Sequence, residues 1–287
     1  MALLALIAVT VVWGVTFVQV KYAVEIYPLF AFLAVRYAIA TGVLGLVGAR
    51  RIRTLGRSGF VAGGVLGVLL GVGIGLQTAG LERTTVSSTG FITGLYVVFT
   101  PLFGLMLFRT RVGAEVWLGV VLSVVGLGML SGDQVGSTTG DLLVLASTSA
   151  QALQIVMVER YANRYDAIAL TLVEMATCFL GFLVIAIALG DLSVPRGWTV
   201  WGALIVTGVF ASAFAFLIQI WAQRRISAAR IALVFALETV WAGFFGFVLD
   251  GDRLGWLGWG GCAAILAGIV VAEPAAAAVL RRLARRP

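Results

Sequence analysis

Apolar residues are grouped along the chain into ten stretches, which short polar segments separate. Each stretch approaches the length of about 20 residues with which a helix crosses the hydrocarbon core of a bilayer. Lipid cannot hydrogen-bond exposed backbone groups, and the strict alternation of a barrel strand is missing, so the pattern predicts transmembrane helices. The ten predicted spans are residues 2–20, 29–48, 59–80, 88–108, 113–131, 140–159, 167–189, 198–221, 228–249 and 255–273.

The composition excludes a water-soluble globular domain. Of the 287 residues, 61% are hydrophobic and 11% are charged, whereas soluble domains carry charge on about a quarter of their positions. The predicted spans leave only short connections, which are too short for a soluble catalytic domain. We therefore expect an all-α membrane protein with ten transmembrane helices, and we expect its first apolar stretch to be retained as a span.

Basic residues lie mostly in alternate connections, and this asymmetry predicts the orientation. With a cytoplasmic N-terminus, fifteen Lys and Arg residues fall inside, while Lys21, Arg83, Arg196 and Arg253 fall outside. The bias predicts a multi-pass protein of the bacterial cytoplasmic (inner) membrane with both termini cytoplasmic. It also accounts for the net charge of +7 without a nucleic-acid partner. The inside residues are Arg50, Arg51, Arg53, Arg57, Arg109, Arg111, Arg160, Arg164, Arg224, Arg225, Arg230, Arg281, Arg282, Arg285 and Arg286.

The chain has few residues suited to metal binding or catalysis. It contains no histidine, and its two cysteines, Cys178 and Cys262, lie within apolar stretches. Histidine is the commonest metal ligand and general base, and buried free cysteines usually pack as small hydrophobes. We therefore predict no metal site, no cofactor and no catalytic residue. Membrane lipid is an expected partner, because the basic C-terminal segment is suited to anionic headgroups.

The two halves of the chain are related in sequence. A shift of 142 residues gives twelve identities over the fifty positions from 77 to 126, without a gap. Each half, residues 1–135 and 136–287, then holds five predicted spans, so the second half must be inverted in the membrane. Inverted repeats recur in secondary transporters, with the substrate site between the halves near the midplane. The residues identical to their counterparts are Gln77, Arg83, Leu95, Val98, Phe103, Gly104, Leu107, Arg111, Gly113, Trp117, Gly119 and Gly126.

Several motifs in this arrangement are typical of one family. They are Trp13-Gly14 in the first span, Thr100-Pro101 in the fourth, and the stretch 84–107 with its partner 226–249. These features resemble the drug/metabolite transporter (DMT) superfamily, in particular its EamA-type domain and bacterial exporters of the YddG kind. The resemblance implies ten helices and the export of amino acids, other metabolites or drugs, and some relatives carry nucleotide sugars or sugar phosphates. The family usually has a proline after the glutamate of the ninth span, where this chain has Thr239.

Polar residues within the predicted spans are candidates for substrate binding, because polar groups in lipid are usually paired or functional. A buried amide offers donors and an acceptor to a carboxylate, an amino group or water. A buried glutamate could titrate, receive an ammonium group or pair with an arginine. The alternative for each residue is a hydrogen bond to a neighbouring helix. The candidate substrate-binding residues are Trp13, Gln77, Tyr96, Gln151, Gln154, Gln219, Glu238 and Trp241.

Gating or coupling residues are expected among the charged residues of the spans. Arg36 and Glu174 lie near equivalent positions of the repeat, and a direct pair would reduce the burial penalty of both. Such a pair could be static or could act as a gate. Glu238 is a second candidate for proton coupling. The third span carries a glycine at every fourth position from Gly59 to Gly75, which predicts a smooth face for close helix packing.

These observations favour a secondary transporter that needs no ATP. We predict export of small polar metabolites, above all amino acids, by alternating access, and we expect a functional monomer. The alternatives are a multidrug carrier, a carrier of nucleotide sugars or sugar phosphates, an intramembrane enzyme, and a structural or receptor protein. An enzyme lacks support because no nucleophile–base pair is recognisable. The sequence leaves open whether transport is coupled to protons.

Overall fold

The computed structural model describes residues 1–84, 86–131, 138–249 and 255–272. Within these ranges the regular elements are helices, and no strand occurs. The predicted boundary between the halves, Arg253 and the basic C-terminal segment lie outside the described residues. The helices before the boundary are α1 (Ala2–Ile26), α2 (Leu29–Gly48), α3 (Gly56–Leu81), α4 (Val86–Gly94), α5 (Tyr96–Phe108) and α6 (Ala114–Ser131).

The helices after the boundary include one segment with wider turns. It is a π-helix over Val206–Phe214, which continues α9 into α10 and is called the π segment below. The elements of this part are α7 (Thr138–Ala162), α8 (Ala167–Leu189), α9 (Trp198–Ile205), the π segment, α10 (Ala215–Gln223), α11 (Ala228–Phe235), α12 (Leu237–Leu249) and α13 (Trp256–Ala272).

Within the described ranges, seven helical segments are long and apolar enough to cross a membrane. They also expose large apolar side chains, such as Leu46, Val68 and Val184, on the outside of the bundle. A helix that is apolar on its buried and its exposed faces is suited to lipid rather than water. This confirms the all-helical membrane architecture. The segments are Ala2–Ile26, Leu29–Gly48, Gly56–Leu81, Ser88–Phe108, Thr138–Ala162, Ala167–Leu189 and Trp198–Gln223, and shorter apolar helices span Ala114–Met129 and Trp256–Ala272.

Two of the predicted spans are broken near their middle. Leu95 separates α4 from α5, and Ala236 separates α11 from α12. At both breaks the next backbone bonds are tighter than in an α-helix: Val98 N donates to Leu95 O at 2.9 Å, and Thr239 N donates to Ala236 O at 3.2 Å. The second break forms although Thr239 replaces the family's proline. The breaks place Tyr96 and Glu238 in the first turns of α5 and α12.

Contacts between connections hold each end of the bundle. At the arginine-rich end, which carries the connections after α2, α7 and α10, Arg51 forms a 3.2 Å ion pair with Asp166. Asp166 also caps α8 by accepting a bond from Ala169 N at 3.0 Å. At the opposite end, called the Tyr27 end, Tyr27 Oη donates to Ser193 O at 2.6 Å. Each contact joins connections that the predicted topology places on one side of the membrane.

The glycine face of α3 packs directly on α8. A Cβ atom at Gly67 would lie 2.6 Å from Glu174 O and 2.5 Å from Thr177 Cβ, and one at Gly63 would lie 2.7 Å from Val173 Cβ. Small residues allow such close approach of helix backbones in membranes. The close packing predicted from the glycine spacing is therefore present, and it presses α3 against the α8 segment that carries Glu174.

We expect the variant Gly67→Ala to lower the thermal unfolding midpoint of the detergent-purified protein. The added methyl group meets backbone that cannot rotate away, and overpacking of this kind destabilises by about 1–3 kcal/mol. Gly64→Ala is the matched control, since nothing among the described residues lies within 4 Å of a Cβ atom there. In that control the higher helix propensity of alanine contributes up to about 1 kcal/mol of stabilisation. Equal midpoints for the two variants would contradict the packing described here.

Glycines also bring α6 and α13 into backbone contact. A Cβ atom at Gly119 would lie 2.7 Å from Gly268 O, and a Cβ atom at Gly268 would lie 2.7 Å from Gly119 O. Further along the same contact, a Cβ atom at Gly126 would lie 2.6 Å from Gly261 O. Any larger residue at these positions forces the two helices apart.

Candidate functional site

A central cavity of about 710 Å³, including its part open to solvent, lies between the helices. Its mixture of apolar walls with a few polar groups is typical of small-molecule sites. Side chains from α1, α2, α3, α5, α7, α10, α11 and α12 line it. They are Trp13, Thr16, Phe17, Val20, Arg36, Leu70, Ile74, Gln77, Thr78, Leu81, Tyr96, Gln151, Gln154, Ile155, Phe216, Gln219, Phe235 and Glu238.

The lining of the cavity reaches different depths on different helices. On α1 and α3 its lining continues to Val20 and to Leu81, the last residue of α3. On α7 and α10, which run in the direction opposite to α1 and α3, the lining stops at Ile155 and Gln219. Beyond Gln219, the last turn of α10 is hydrogen-bonded to α7, because Gln223 Nε2 donates to Ile155 O at 2.8 Å.

Two opposite charges line the cavity without forming an ion pair. Arg36 of α2 is 7% exposed and Glu238 of α12 is 9% exposed, and the two groups interact electrostatically. Arg36 Nε donates to Ser212 Oγ at 2.8 Å. Tyr96 Oη lies 3.5 Å from Glu238 Oε2, which is a long contact for a hydrogen bond. Both charged groups therefore keep hydrogen-bonding capacity that faces the cavity.

The π segment positions two of the cavity residues. Its Ser212 hydroxyl accepts the bond from Arg36, and its Ala211 carbonyl accepts a 2.9 Å bond from Trp13 Nε1. A π-helical turn offsets the regular ladder of backbone bonds and is frequent at functional sites. Here it provides acceptors to α1 and α2 at the depth of the cavity, and so holds the indole and the guanidinium in place.

A chain of buried amides lies below the cavity, towards the arginine-rich end. Gln154 Nε2 donates to Glu174 Oε1 at 2.7 Å. Gln219 Nε2 donates to Gln154 Oε1 at 3.0 Å and to Gln223 Oε1 at 3.1 Å. Gln223 Nε2 completes the chain by donating to Ile155 O at 2.8 Å. These bonds, called the amide chain below, join α7, α8 and α10.

The remaining glutamines of the cavity are held by hydroxyl groups. Gln77 Nε2 donates to Thr93 Oγ1 at 3.0 Å, between α3 and α4. Gln151 Nε2 donates to Ser147 Oγ at 2.8 Å within α7. Each amide thus has one hydrogen-bond partner within the bundle and also borders the cavity. No three His, Cys, Asp or Glu side chains in the described ranges are grouped to hold a metal ion.

A comparison with family models matches this arrangement of helices to known transporters. The model of the EamA-like transporter family matches residues 1–132 and 138–272. The chain belongs to the EamA-like transporter family. It is therefore a multi-pass membrane transporter of the EamA type within the DMT superfamily, a class of proteins that are generally not enzymes.

Similar proteins agree with this family. A protein named "Uncharacterized transporter" from Archaeoglobus fulgidus is 28% identical over 271 residues, which cover 93% of this chain and 84% of that protein. "Uncharacterized transporter YoaV" from Bacillus subtilis is 22% identical over 258 residues, which cover 86% of this chain and 87% of that protein. "Solute carrier family 35 member F6" from Mus musculus is 25% identical over 128 residues, 41% of this chain and 34% of that protein.

A solved crystal structure of another protein has the same fold as this EamA-like transporter. The two superpose with a TM-score of 0.77 at 20% sequence identity, and the match covers 97% of this chain and 98% of that one. At this level of identity the superposition shows a common fold and carries no statement about substrate.

Seven of the eight candidate substrate-binding residues line the cavity of the EamA-like transporter. The eighth, Trp241, lies where α12 packs on α1: a Cβ atom at Gly14 would lie 2.5 Å from Trp241 Cβ. Its ring contacts Phe244 and Phe245. Trp241 thus packs between helices and is not among the lining residues, because its side of α12 faces α1 next to the cavity.

The direct pair of Arg36 with Glu174, which the repeat suggested, does not form. Arg36 bonds Ser212, and Glu174 bonds Gln154. Similar depth in two helices was the only sequence evidence for the pair, and depth leaves the direction of each side chain undetermined. Arg36 points into the cavity that Glu238 also lines, whereas Glu174 points towards the amide chain.

Several residues of the site were not predicted from the sequence, and they include the following four. Phe216 and Phe235 line the cavity, Ser212 holds Arg36, and Gln223 completes the amide chain. Phenylalanine and serine are ordinary in transmembrane helices, so they gave no signal. Gln223 did have a sequence signal, because it lies four residues after Gln219, on the same helix face. It was missed because it lies just beyond the predicted end of the eighth span.

Proposed function

We propose that this transporter exports amino acids with apolar side chains across the bacterial cytoplasmic membrane, by alternating access and without ATP. The observation that carries the proposal is the unpaired arrangement of Arg36 and Glu238 in one cavity. A guanidinium binds a carboxylate through paired hydrogen bonds, and a buried carboxylate is suited to an ammonium group. A zwitterion that bridges the two would neutralise both buried charges at once.

Aromatic rings supply the apolar part of the proposed site. The Trp13 ring centroid lies 4.8 Å from that of Phe235 and 5.6 Å from that of Phe216. Phe17 completes this wall of the cavity. Burial of an aliphatic or aromatic side chain against such a surface is favourable by about 25 cal/mol per Å² of apolar area. A cationic drug would leave Arg36 without a partner of opposite charge, and an anionic nucleotide sugar would leave Glu238 without one.

The proposal includes two inverted five-helix repeats, residues 1–135 and 136–287, within ten spans. Under a two-fold relation, a contact between two positions implies a contact between their counterparts in the other half. Gly119 contacts Gly268, and Gly126 contacts Gly261. A shift of 142 residues makes Gly261 the counterpart of Gly119 and Gly268 the counterpart of Gly126, so each contact is the counterpart of the other. Tyr96 also lies against its own counterpart, Glu238, as expected for positions next to such an axis. The two ranges matched by the family model support the same division.

The hydrogen bonds of the amide chain, which join α7, α8 and α10 beside the cavity, support alternating access. With both termini in the cytoplasm, the Tyr27 end faces outward, and we assign the cavity to a conformation open to the outside because its lining reaches Leu81, the last residue of α3. The amide chain then closes the cytoplasmic side. All elements of the proposed site lie in one chain, so we propose a functional monomer that needs only membrane lipid as its environment.

Transport of labelled leucine into liposomes that contain the purified protein tests the proposal. We expect unlabelled leucine, isoleucine and phenylalanine to compete with the tracer. Leucinamide lacks the carboxylate for Arg36, and 4-methylpentanoate lacks the ammonium group for Glu238. Because each compound loses one buried charged contact, both should compete about 100-fold more weakly than leucine. Stronger competition by a cationic dye or a nucleotide sugar would favour the alternative carriers, and no transport of any amino acid would refute the proposal.

A further inference from the structure

One carboxylate of the spans lies outside the cavity and has an incomplete environment. Glu174 of α8 is 0% exposed. Its Oε1 accepts the bond from Gln154, while its Oε2 is buried without a hydrogen-bond partner. Oε1 of Gln219, in the same amide chain, is also buried without a partner. No Lys or Arg of the described ranges forms an ion pair with Glu174.

The helices around Glu174 present few titratable groups. Tyr37 of α2 and Cys178 of α8 interact electrostatically with it, and both are neutral groups in water at pH 7. Arg36 of α2 interacts instead with Tyr37, Cys178 and Glu238. The packed face of α3 consists of glycines, and α7 and α10 contribute Gln154 and Gln219. Arg51 binds Asp166 at the beginning of α8.

An ionised carboxylate in this environment is strongly unfavourable. A buried charge is tolerated when it is paired or fully hydrogen-bonded, and Glu174 is neither. Unlike Glu238, it does not line the cavity and does not interact with Arg36. The neutral acid avoids the charge and gains an O–H donor, and the neighbouring amide chain holds an acceptor without a donor, Gln219 Oε1. We propose that Glu174 binds a proton and that this proton is exchanged for the exported substrate.

The amide chain links this proton site to the cavity. Gln154 and Gln219 line the cavity, and Gln154 also contacts Glu174 directly. In the conformation open at the Tyr27 end, a proton from the cavity binds Glu174 when Gln154, which separates the two, moves aside, and the protonated side chain is then buried again. Opening at the arginine-rich end must separate Gln154, Gln219 and Gln223, which admits water to Glu174 and lets the proton leave to the cytoplasm. One proton then enters the cell as one substrate leaves, so the inference rests on the proposed export function.

Infrared spectroscopy of the purified protein tests the proton site independently of any substrate. A protonated carboxylic acid has a carbonyl stretch that an ionised carboxylate lacks. We expect Glu174→Gln to remove one such band, and Glu115→Gln, a replacement on α6 away from the amide chain, to leave it. Glu174→Asp should retain a protonated-acid band. If Glu174→Gln removes no band at any pH at which the wild type is folded, the proton site is refuted.

Liposomes with the membrane potential clamped at zero test the coupling, because exchange of one proton for one zwitterion moves a net charge. With the interior one pH unit more acidic than the exterior, one-for-one exchange accumulates labelled leucine about tenfold, because one pH unit equals a tenfold concentration ratio. We expect this accumulation for the wild type and Glu115→Gln, and an equal concentration on both sides for Glu174→Gln. Accumulation by Glu174→Gln, or none by a wild type that equilibrates leucine, overturns the coupling. Absence of any leucine entry refutes the proposed function instead, while the infrared result still decides the proton site.

Discussion

Replacement of Arg36 by glutamine is expected to weaken leucine binding by about 100-fold. Loss of one partner of a buried charged contact costs about 2–5 kcal/mol, and 1.4 kcal/mol corresponds to a factor of ten. Arg36 is the cation that lines the cavity next to Glu238, so its loss leaves the substrate carboxylate without a partner. The measurement is the concentration of unlabelled leucine that halves tracer transport into liposomes.

A change in selectivity distinguishes this role from a structural one. If Arg36 binds the carboxylate, leucinamide should compete with the tracer as well as leucine does in Arg36→Gln. In the wild type, leucine should compete better than leucinamide. Arg36→Lys keeps the charge but loses the paired geometry, so an intermediate loss is expected. Ser212→Ala removes the acceptor of the 2.8 Å bond that orients Arg36 and should weaken binding by a smaller factor. Unchanged selectivity in Arg36→Gln would contradict carboxylate recognition.

Replacement of Glu238 by glutamine is expected to cause a similar loss, of about 100-fold, at the other end of the substrate. The same penalty for an unpaired buried charge applies to the ammonium group. Here 4-methylpentanoate, which lacks that group, should compete as well as leucine does. The measurement is the same competition assay, with unfolding midpoints to show that the variant is folded.

Tyr96→Phe is the matched control for this second site. Its hydroxyl lies 3.5 Å from Glu238 Oε2, a distance at which a hydrogen bond is weak. The control should therefore change leucine binding by less than about tenfold, the factor that corresponds to 1.4 kcal/mol. Glu238 is assigned to the ammonium group and Glu174 to the proton. Liposomes that contain Glu238→Gln should therefore still accumulate leucine when a pH gradient is imposed. Loss of that accumulation together with normal leucine affinity would show that Glu238 is the coupling group.

Much of the candidate site was predictable from the sequence because lipid makes buried polar residues rare. Gln77 and Gln219 stood out as amides in apolar stretches and as equivalents in the repeat, and both line the cavity. The same reasoning identified Gln154, Glu174 and Glu238. Phe216 and Phe235 could not be identified in this way, since an aromatic residue in a span is favourable whether it faces lipid, another helix or a substrate.

The sequence by itself determined the all-helical membrane architecture, the family and the rare polar residues of the spans. Hydrophobic length and composition suffice for these, because the bilayer imposes them on each segment separately. Only the tertiary structure decided which polar residues meet. It directed Arg36 towards Glu238 and Glu174 towards Gln154, placed Trp241 between helices, and broke the ninth span at Ala236 without a proline. Rotation about each helix axis and the offsets at breaks and π turns arise from packing between segments distant in sequence, which no single segment encodes.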